Sequence, residues 1–451
     1  MNASTARFPK AAHLAWGVGS LGTIAYINTV TALGLIFLTM VLGIEPGIAG
    51  LLMTAARVFD AFSDPAMGYL TDRTRSRWGR RRPWMLAGAI VCGVMLAAFY
   101  SVPKLETTAA TTALAMLLLV GYSLGFTIFN VPYMTMPIEM SRDHQERVSI
   151  MSWRVLFMSV GSYLGSAVAP VVLESVGRDA RGFAIVGMIF GAVVFSAMLT
   201  AFLGTASVPT SEYKPSHLPL REQLRTAFEN RPFALLMGVK VLQFIGIAAN
   251  SGTLAYFATT VLKRDLNVMF VYGTAFMVAV TVSILFWRQL ARRIGKKQGF
   301  IIGVIGHILM ALTWLVATPA EPEIFVPLRA IGQAFFSSAI LLYGQAVWID
   351  AVDYDYRRTG LRREGLFTSV YVFVERLGYS MAPMVLGLLL QWFKFDKKLP
   401  LEQQPESAST AVMVSLVAVP VITFALSLIF LTKYDLTDEK LDATRPPGVA
   451  L

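Results

Sequence analysis

The chain has 451 residues, 55% hydrophobic and only 15% charged, with a formal net charge of +11. Soluble domains carry charge on about a quarter of their residues, so an apolar excess over this length excludes an ordinary soluble protein and indicates one that lives in a bilayer. One cysteine, Cys92, and four histidines without ligand spacing exclude a disulfide framework and a zinc site. The basic residues gather in short connectors, which is a topology signal and not a nucleic-acid footprint.

The opening MNASTARFPKAAH lacks the plan of a cleaved signal peptide, so the first apolar run is expected to stay in the membrane. A spanning helix needs about 20 mostly apolar residues. That window predicts twelve helices, at about 13–42, 48–71, 83–102, 109–138, 149–173, 183–204, 232–261, 267–290, 299–317, 325–352, 366–392 and 410–432. The longest polar connector, Gly204 to Pro232, falls between helices six and seven, and its PLREQLRTAFENRP portion reads as a short surface helix. The basic turns GYLTDRTRSRWGRRRPW and QLARRIGKKQGF occupy corresponding places in the two halves, with clusters beginning at Gly79 and Gly295.

The expected fold is therefore an all-α membrane protein, with twelve transmembrane helices in two six-helix pseudo-symmetric bundles, a parallel-repeat plan seen in secondary transporters. The bundles are expected at 1–204 and 232–432, with an interdomain loop at 205–231 and a tail at 433–451. Lys and Arg favour the terminal side of the membrane about three to one, which places both termini and the interdomain loop in the cytoplasm. No connector has room for an enzymatic domain, and no cofactor is called for.

Helix two contains RVFDAFSDPAMGYL, in which Arg57, Asp60 and Asp64 share one stripe, with Ser63 beside it. A charge at the bilayer centre costs about 2.5–3.5 kcal/mol or more. A fixed Arg57–Asp60 ion pair accounts for two of these residues and leaves Asp64 unexplained. Two carboxylates a turn apart fit a coupling cation better: Na⁺ in an oxygen cage at Asp60 and Asp64, or a shared H⁺. The empty site is then expected to stay unsatisfied until the ion arrives. Helix four, FTIFNVPYMTMP, offers Thr127 and Asn130 on one face as neutral oxygens, with interhelical hydrogen bonding as the alternative.

Arg154 on helix five and Glu375/Arg376 on helix eleven are the other mid-span charges, read either as a fixed salt bridge or as groups for an anionic solute that also pair in turn with Asp60 or Asp64. Lys240, near the start of helix seven, is expected to snorkel to the interface. Tyr26, Tyr133, Trp153 and Tyr343 are candidates to line the solute cavity. Arg57, Asp72, Arg80, Asp350 and Asp353 are candidate gate residues, since the turn TDRTRSRWGRRRP and the helix-ten end WIDAVDYDYRR belong on one side and can latch the opposite half.

The strings D-A-x-x-D-P-x-x-G, TRSRWG and RRPW, supported by NVPYMTMPIEM, ERVSIMSWR and WIDAVDYDYRRTGLRREGLFTS, closely resemble the glycoside–pentoside–hexuronide:cation symporters of the major facilitator superfamily. The resemblance implies an alternating-access carrier driven by Na⁺, H⁺ or Li⁺. In it Asp60, Asp64 and Thr127 match the cation site, and Arg154 and Arg376 match basic residues on helices five and eleven. Ser63 replaces the family's asparagine, and the galactoside-binding positions fall on Ile24, Asn130, Met134 and Leu341, with Tyr343 nearby. That pattern argues against galactosides. The expected partners are a small solute, a monovalent cation and membrane lipid, and the expected state is a monomer in the inner (plasma) membrane. A lysolipid carrier or an exporter on the same fold is the alternative.

Overall fold

The computed structural model describes residues 10–140, 144–206, 228–359, 364–436 and 438–444, together with Arg225. Among the described residues, twelve long helices follow the twelve apolar runs. We number them α1 (Lys10–Ile36, with a π-helical turn Phe37–Val41), α2 (Pro46–Arg73), α3 (Arg82–Tyr100), α4 (Thr108–Met140), α5 (His144–Tyr163, continuing through a π-helical turn into Ala169–Val176) and α6 (Ala180–Gly204). The second half comprises α7 (Arg231–Tyr256, with a π-helical turn Phe257–Val261), α8 (Asn267–Ile294), α9 (Lys296–Leu312), α10 (Phe325–Thr359), α11 (Glu364–Trp392) and α12 (Glu406–Met413, running through a π-helical turn into Val419–Lys433). A short α13 (Asp438–Ala443) follows. The proposed surface helix in the connector lies largely outside the described residues.

Eleven of the twelve are long and apolar enough to cross a membrane on composition alone. The exception is α2, equally long but diluted by Arg57, Asp60 and Asp64. α10 outruns its predicted end because Asp353 and Arg357 pair one turn apart at 2.7 Å and carry the helix into the polar phase.

The two halves repeat one another in packing as well as in sequence. α1 packs on α5 and α6, and α7 on α11 and α12; α3 packs on α4 and α6, and α9 on α10 and α12. FLTMVL (37–42) ends α1 and FATTVL (257–262) ends the π-turn of α7, and each is followed by a left-handed residue, Gly43 or Lys263. Gly79 and Gly295 occupy corresponding positive-φ positions in the two basic turns, a conformation open to glycine without a Cβ clash. Asn230 starts the second half. Its side chain accepts from the Phe233 N–H at 3.1 Å while its amide donates to the Ala351 carbonyl at 2.8 Å. Asn230→Ala is expected to cost about 1–2 kcal/mol through loss of the cap and of a buried bond, seen as a lower melting temperature of the purified protein.

Between the halves, α2 meets α11 and the corresponding pair, α5 and α8, meets across the same axis. Among the described residues, the hydrogen bonds and ion pairs joining the halves lie at the end away from the termini or at mid-depth. At the far end Thr39 and Tyr256 share a hydrogen bond of 3.0 Å, Tyr163 and Thr274 one of 2.8 Å, and Lys397 pairs with Glu45 at 2.7 Å. Thr54 donates to the Ser380 carbonyl at 2.8 Å. α2 and α11 approach closely through glycines: a Cβ on Gly50 would stand 2.3 Å from the Pro383 carbonyl oxygen, and one on Gly387 2.2 Å from that of Pro46. The far end is closed by these contacts.

Candidate functional site

At mid-depth, α2, α4 and α11 bring together the residues that sequence spacing singles out. Asp60 is 3% exposed, and its carboxylate accepts from Ser123 of α4, whose hydroxyl also lies 2.6 Å from the Ala56 carbonyl. Asp64 accepts from Thr127 Oγ1 at 2.9 Å, and Thr127 shares a 3.0 Å hydrogen bond with Ser63. Ser63 also reaches the Asp60 carbonyl at 3.4 Å. Arg376, from the opposite half, forms an ion pair with the second Asp64 oxygen. Two carboxylates and three hydroxyls thus converge, an oxygen-only set suited to a hard monovalent ion or a proton.

The structure brings some of the expected residues together and places others elsewhere. Asp60, Asp64, Ser63 and Thr127 do come together. The carboxylates are not left unsatisfied, because Arg376 supplies Asp64 with a counter-charge and Ser123 supplies Asp60 with a donor. Arg57 makes no ion pair with Asp60. Its guanidinium stands over the Tyr122 ring, 5.6 Å from the centroid, with Nη2 3.5 Å from the Tyr122 hydroxyl, near enough for its charge to act on Asp60. Lys240 does not snorkel. It is 5% exposed, with Nζ 3.4 Å from Gln243 Oε1 and the ring of Phe300 5.3 Å away.

The three proposed cavity tyrosines are packing residues in this structure instead. Tyr26 is fully buried, stacked on Tyr122 at 4.0 Å, and each hydroxyl donates to the other's carbonyl, clasping α1 to α4. Tyr133 stacks on Trp16 at 4.7 Å and donates to its carbonyl. Tyr343 donates to the Trp287 carbonyl at 2.8 Å and lies against Gly299 of α9, turned away from the other half. Trp153 is half-buried against Gly17 of α1, and Asn130 is half-buried on the α4 face one turn beyond Thr127. Arg154 is half-buried, with Nε lacking a hydrogen-bond partner.

Of the gate candidates, Asp350 bonds Lys296 at 2.7 Å and Asp353 bonds Arg357, so these described contacts stay within the second half. Arg80 is half-buried in the 74–81 turn, and the side chain of Asp72 lies outside the described residues.

Ser123 was not singled out by the sequence reading. Its signal was available, since it precedes Thr127 by one turn on the same α4 face. Ser123→Ala leaves one oxygen of a buried carboxylate without its donor, a loss of about 1–3 kcal/mol. The expected outcome is roughly tenfold weaker apparent cation affinity, read from the cation dependence of solute uptake.

Two pseudo-symmetric six-helix bundles with a charged site at mid-depth between them define a secondary transporter of the major facilitator fold, not an enzyme. The family model described as "MFS/sugar transport protein" matches residues 15–438. The chain belongs to that family. It is 28% identical to the inner membrane symporter YicJ of Escherichia coli (strain K12), covering 93% of this chain and 90% of that one. It is 27% identical to the isoprimeverose transporter of Lactiplantibacillus pentosus, covering 92% and 85%. A crystal structure of a bacterial homologue of the human lysosomal transporter Spinster, in an inward-facing and unoccupied conformation, shares the fold with a TM-score of 0.70 at 16% identity, over 98% of this chain and 99% of that one.

Proposed function

We propose that this protein is a cation-coupled sugar symporter, with Asp60, Asp64, Ser63, Thr127 and Ser123 holding Na⁺ or H⁺. The carrying observation is the Arg376–Asp64 ion pair, which crosses the mid-depth interface between the halves. A cation taken up by Asp64 competes with Arg376 for the same carboxylate. Its binding frees Arg376, loosens the mid-depth link between α2 and α11, and biases the equilibrium between two arrangements of the halves.

The names of the symporter and sugar-transporter relatives support coupled uptake, and the mid-depth carboxylates supply a place for the ion. With both termini in the cytoplasm, as the basic connectors indicate, the closed far end faces outward and the conformation is inward-facing. A single chain contains every residue of the proposed site, so we take the monomer as the working unit in an inner membrane. The solute is small and polar, and Arg154 is the basic group of the first half aimed at it.

The test is uptake of labelled sugars into proteoliposomes under an imposed Na⁺ or H⁺ gradient. Accumulation above equilibrium with one gradient supports the reading. Equal uptake with and without either gradient overturns it.

A further inference from the structure

The interface holds a second cluster of polar groups that the cation chemistry does not use. Glu375 adjoins Arg376 but points about 100° away around α11, and it shares a face with Tyr371 one turn earlier. The Tyr371 ring lies 5.7 Å from Trp348 of α10, and its hydroxyl accepts from Gln345 at 3.4 Å. Among the described residues the Glu375 carboxylate has no hydrogen bond and no ion pair, although the charges of Arg154, from the first half, and of Lys240 both act on it. Arg154 Nε and the indole N–H of Trp348, the ring beside Tyr371, are buried without acceptors.

Unmet groups of both kinds therefore occur along one run of side chains, from Arg154 through Glu375 and Tyr371 to Trp348: carboxylate lone pairs that want donors, and N–H groups that want acceptors. Leaving them so is costly unless something else supplies the bonds. A hydroxyl is the simple function that donates to a carboxylate while accepting from a guanidinium or indole. A solute carboxylate would bring a second negative charge against Glu375 and give its oxygens no donor. The rings of Trp348 and Tyr371 add a flat apolar wall for the C–H face of a sugar ring.

We infer that Glu375, Arg154, Trp348 and Tyr371 form a solute subsite that takes an uncharged, polyhydroxylated ring through neighbouring hydroxyls. Lys240, buried within the second half, supplies Glu375 with counter-charge from behind. The subsite rests on the sugar-symport reading and deepens it, placing solute contacts on α10 and α11 as well as on α5. It also explains why the two adjacent charges on α11 differ in sign: Arg376 serves the cation site and Glu375 the solute.

The experiment uses the full-length purified protein and measures binding of neutral glycosides of xylose, glucose and galactose, their uronic acid counterparts, and lysophosphatidylcholine, by calorimetry and by thermal shift. The wild type is expected to bind a neutral glycoside. Glu375→Gln is expected to weaken that binding about 10- to 100-fold, and Trp348→Phe, which keeps a ring and removes the N–H, to weaken it about tenfold. The cation-induced thermal shift should survive in both variants, which separates solute contact from misfolding.

Binding of the neutral glycoside by both variants within about twofold of wild type, or tighter wild-type binding of the uronic acids, overturns the subsite and leaves the sugar reading standing. Binding of lysophosphatidylcholine and of no sugar overturns the sugar reading itself.

Discussion

Replacing Asp64 with asparagine is expected to cut gradient-driven accumulation sharply while leaving the protein in the membrane. Asp64 is where Thr127 of α4 and Arg376 of α11 meet the second helix, so its charge is what a cation and Arg376 compete for. Coupling free energies of the usual size correspond to about 5- to 150-fold, and the loss of driven uptake should fall in that range. The substitution also leaves a half-buried guanidinium without its partner. Breaking a buried pair costs about 3–5 kcal/mol. The lower end applies here, because the Asp64 and Arg376 side chains are 25% and 24% exposed and solvent screens them in part. Adding Arg376→Gln to Asp64→Asn should therefore restore most of the lost melting temperature without restoring coupling. A double variant that recovered both, or an Asp64→Asn protein that still accumulated solute against a gradient, would show that the ion pair is structural only.

The second large effect is expected where α2 crosses α11. Gly50→Val places a branched side chain where even a Cβ would come within 2.3 Å of the Pro383 carbonyl oxygen and 3.0 Å of Met384 Cα. Backbone cannot move aside as a flexible side chain can, so the strain of about 1–3 kcal/mol must be relieved by separating the helices. The conformation closed at the far end bears that cost, and the alternative conformation does not. The ratio of the two should shift by about 5- to 150-fold toward the one open at the far end. Spin labels at Glu45→Cys and Lys397→Cys report it directly, since these residues pair across the closed end and the native Cys92 is buried. The label distance should lengthen in the Gly50→Val background. An unchanged distance in a folded, membrane-inserted protein would mean that the glycine contact does not hold the far end shut.

Both results depend on the same division of labour. α2 and α11 together carry the far-end closure and the proposed cation site, at different depths along one helix pair. Thr54 and Gly50 face α11 nearer the far end, and Asp64 meets α11 through Arg376 about three turns further along α2. Each helix is continuous over that span, so a shift at one depth is carried to the other, which is how ion occupancy at Asp64 can alter closure at Gly50.

Much of this was legible in the amino-acid sequence. Apolar runs of spanning length fix the twelve helices, because a helix in lipid must satisfy its own backbone bonds and show lipid an apolar surface. Helical spacing alone placed Asp60 and Asp64 on one stripe of α2, and Thr127 and Asn130 on one face of α4. The basic turns at Gly79 and Gly295 revealed the repeat that the helix packing bears out.

Other features were decided only by the tertiary structure. Spacing orients a side chain about its own helix axis and says nothing of how that helix is rotated against its neighbours. Tyr26, Tyr133 and Tyr343 therefore looked suited to a cavity, and only packing turned them inward to clasp adjacent helices. For the same reason Lys240, at a plausible depth for snorkelling, lies buried against Gly344, and Arg376, more than 300 residues along the chain from Asp64, proved to be its ion partner. The local sequence determined which charges are in the membrane; the association of the two halves determined which charge answers which.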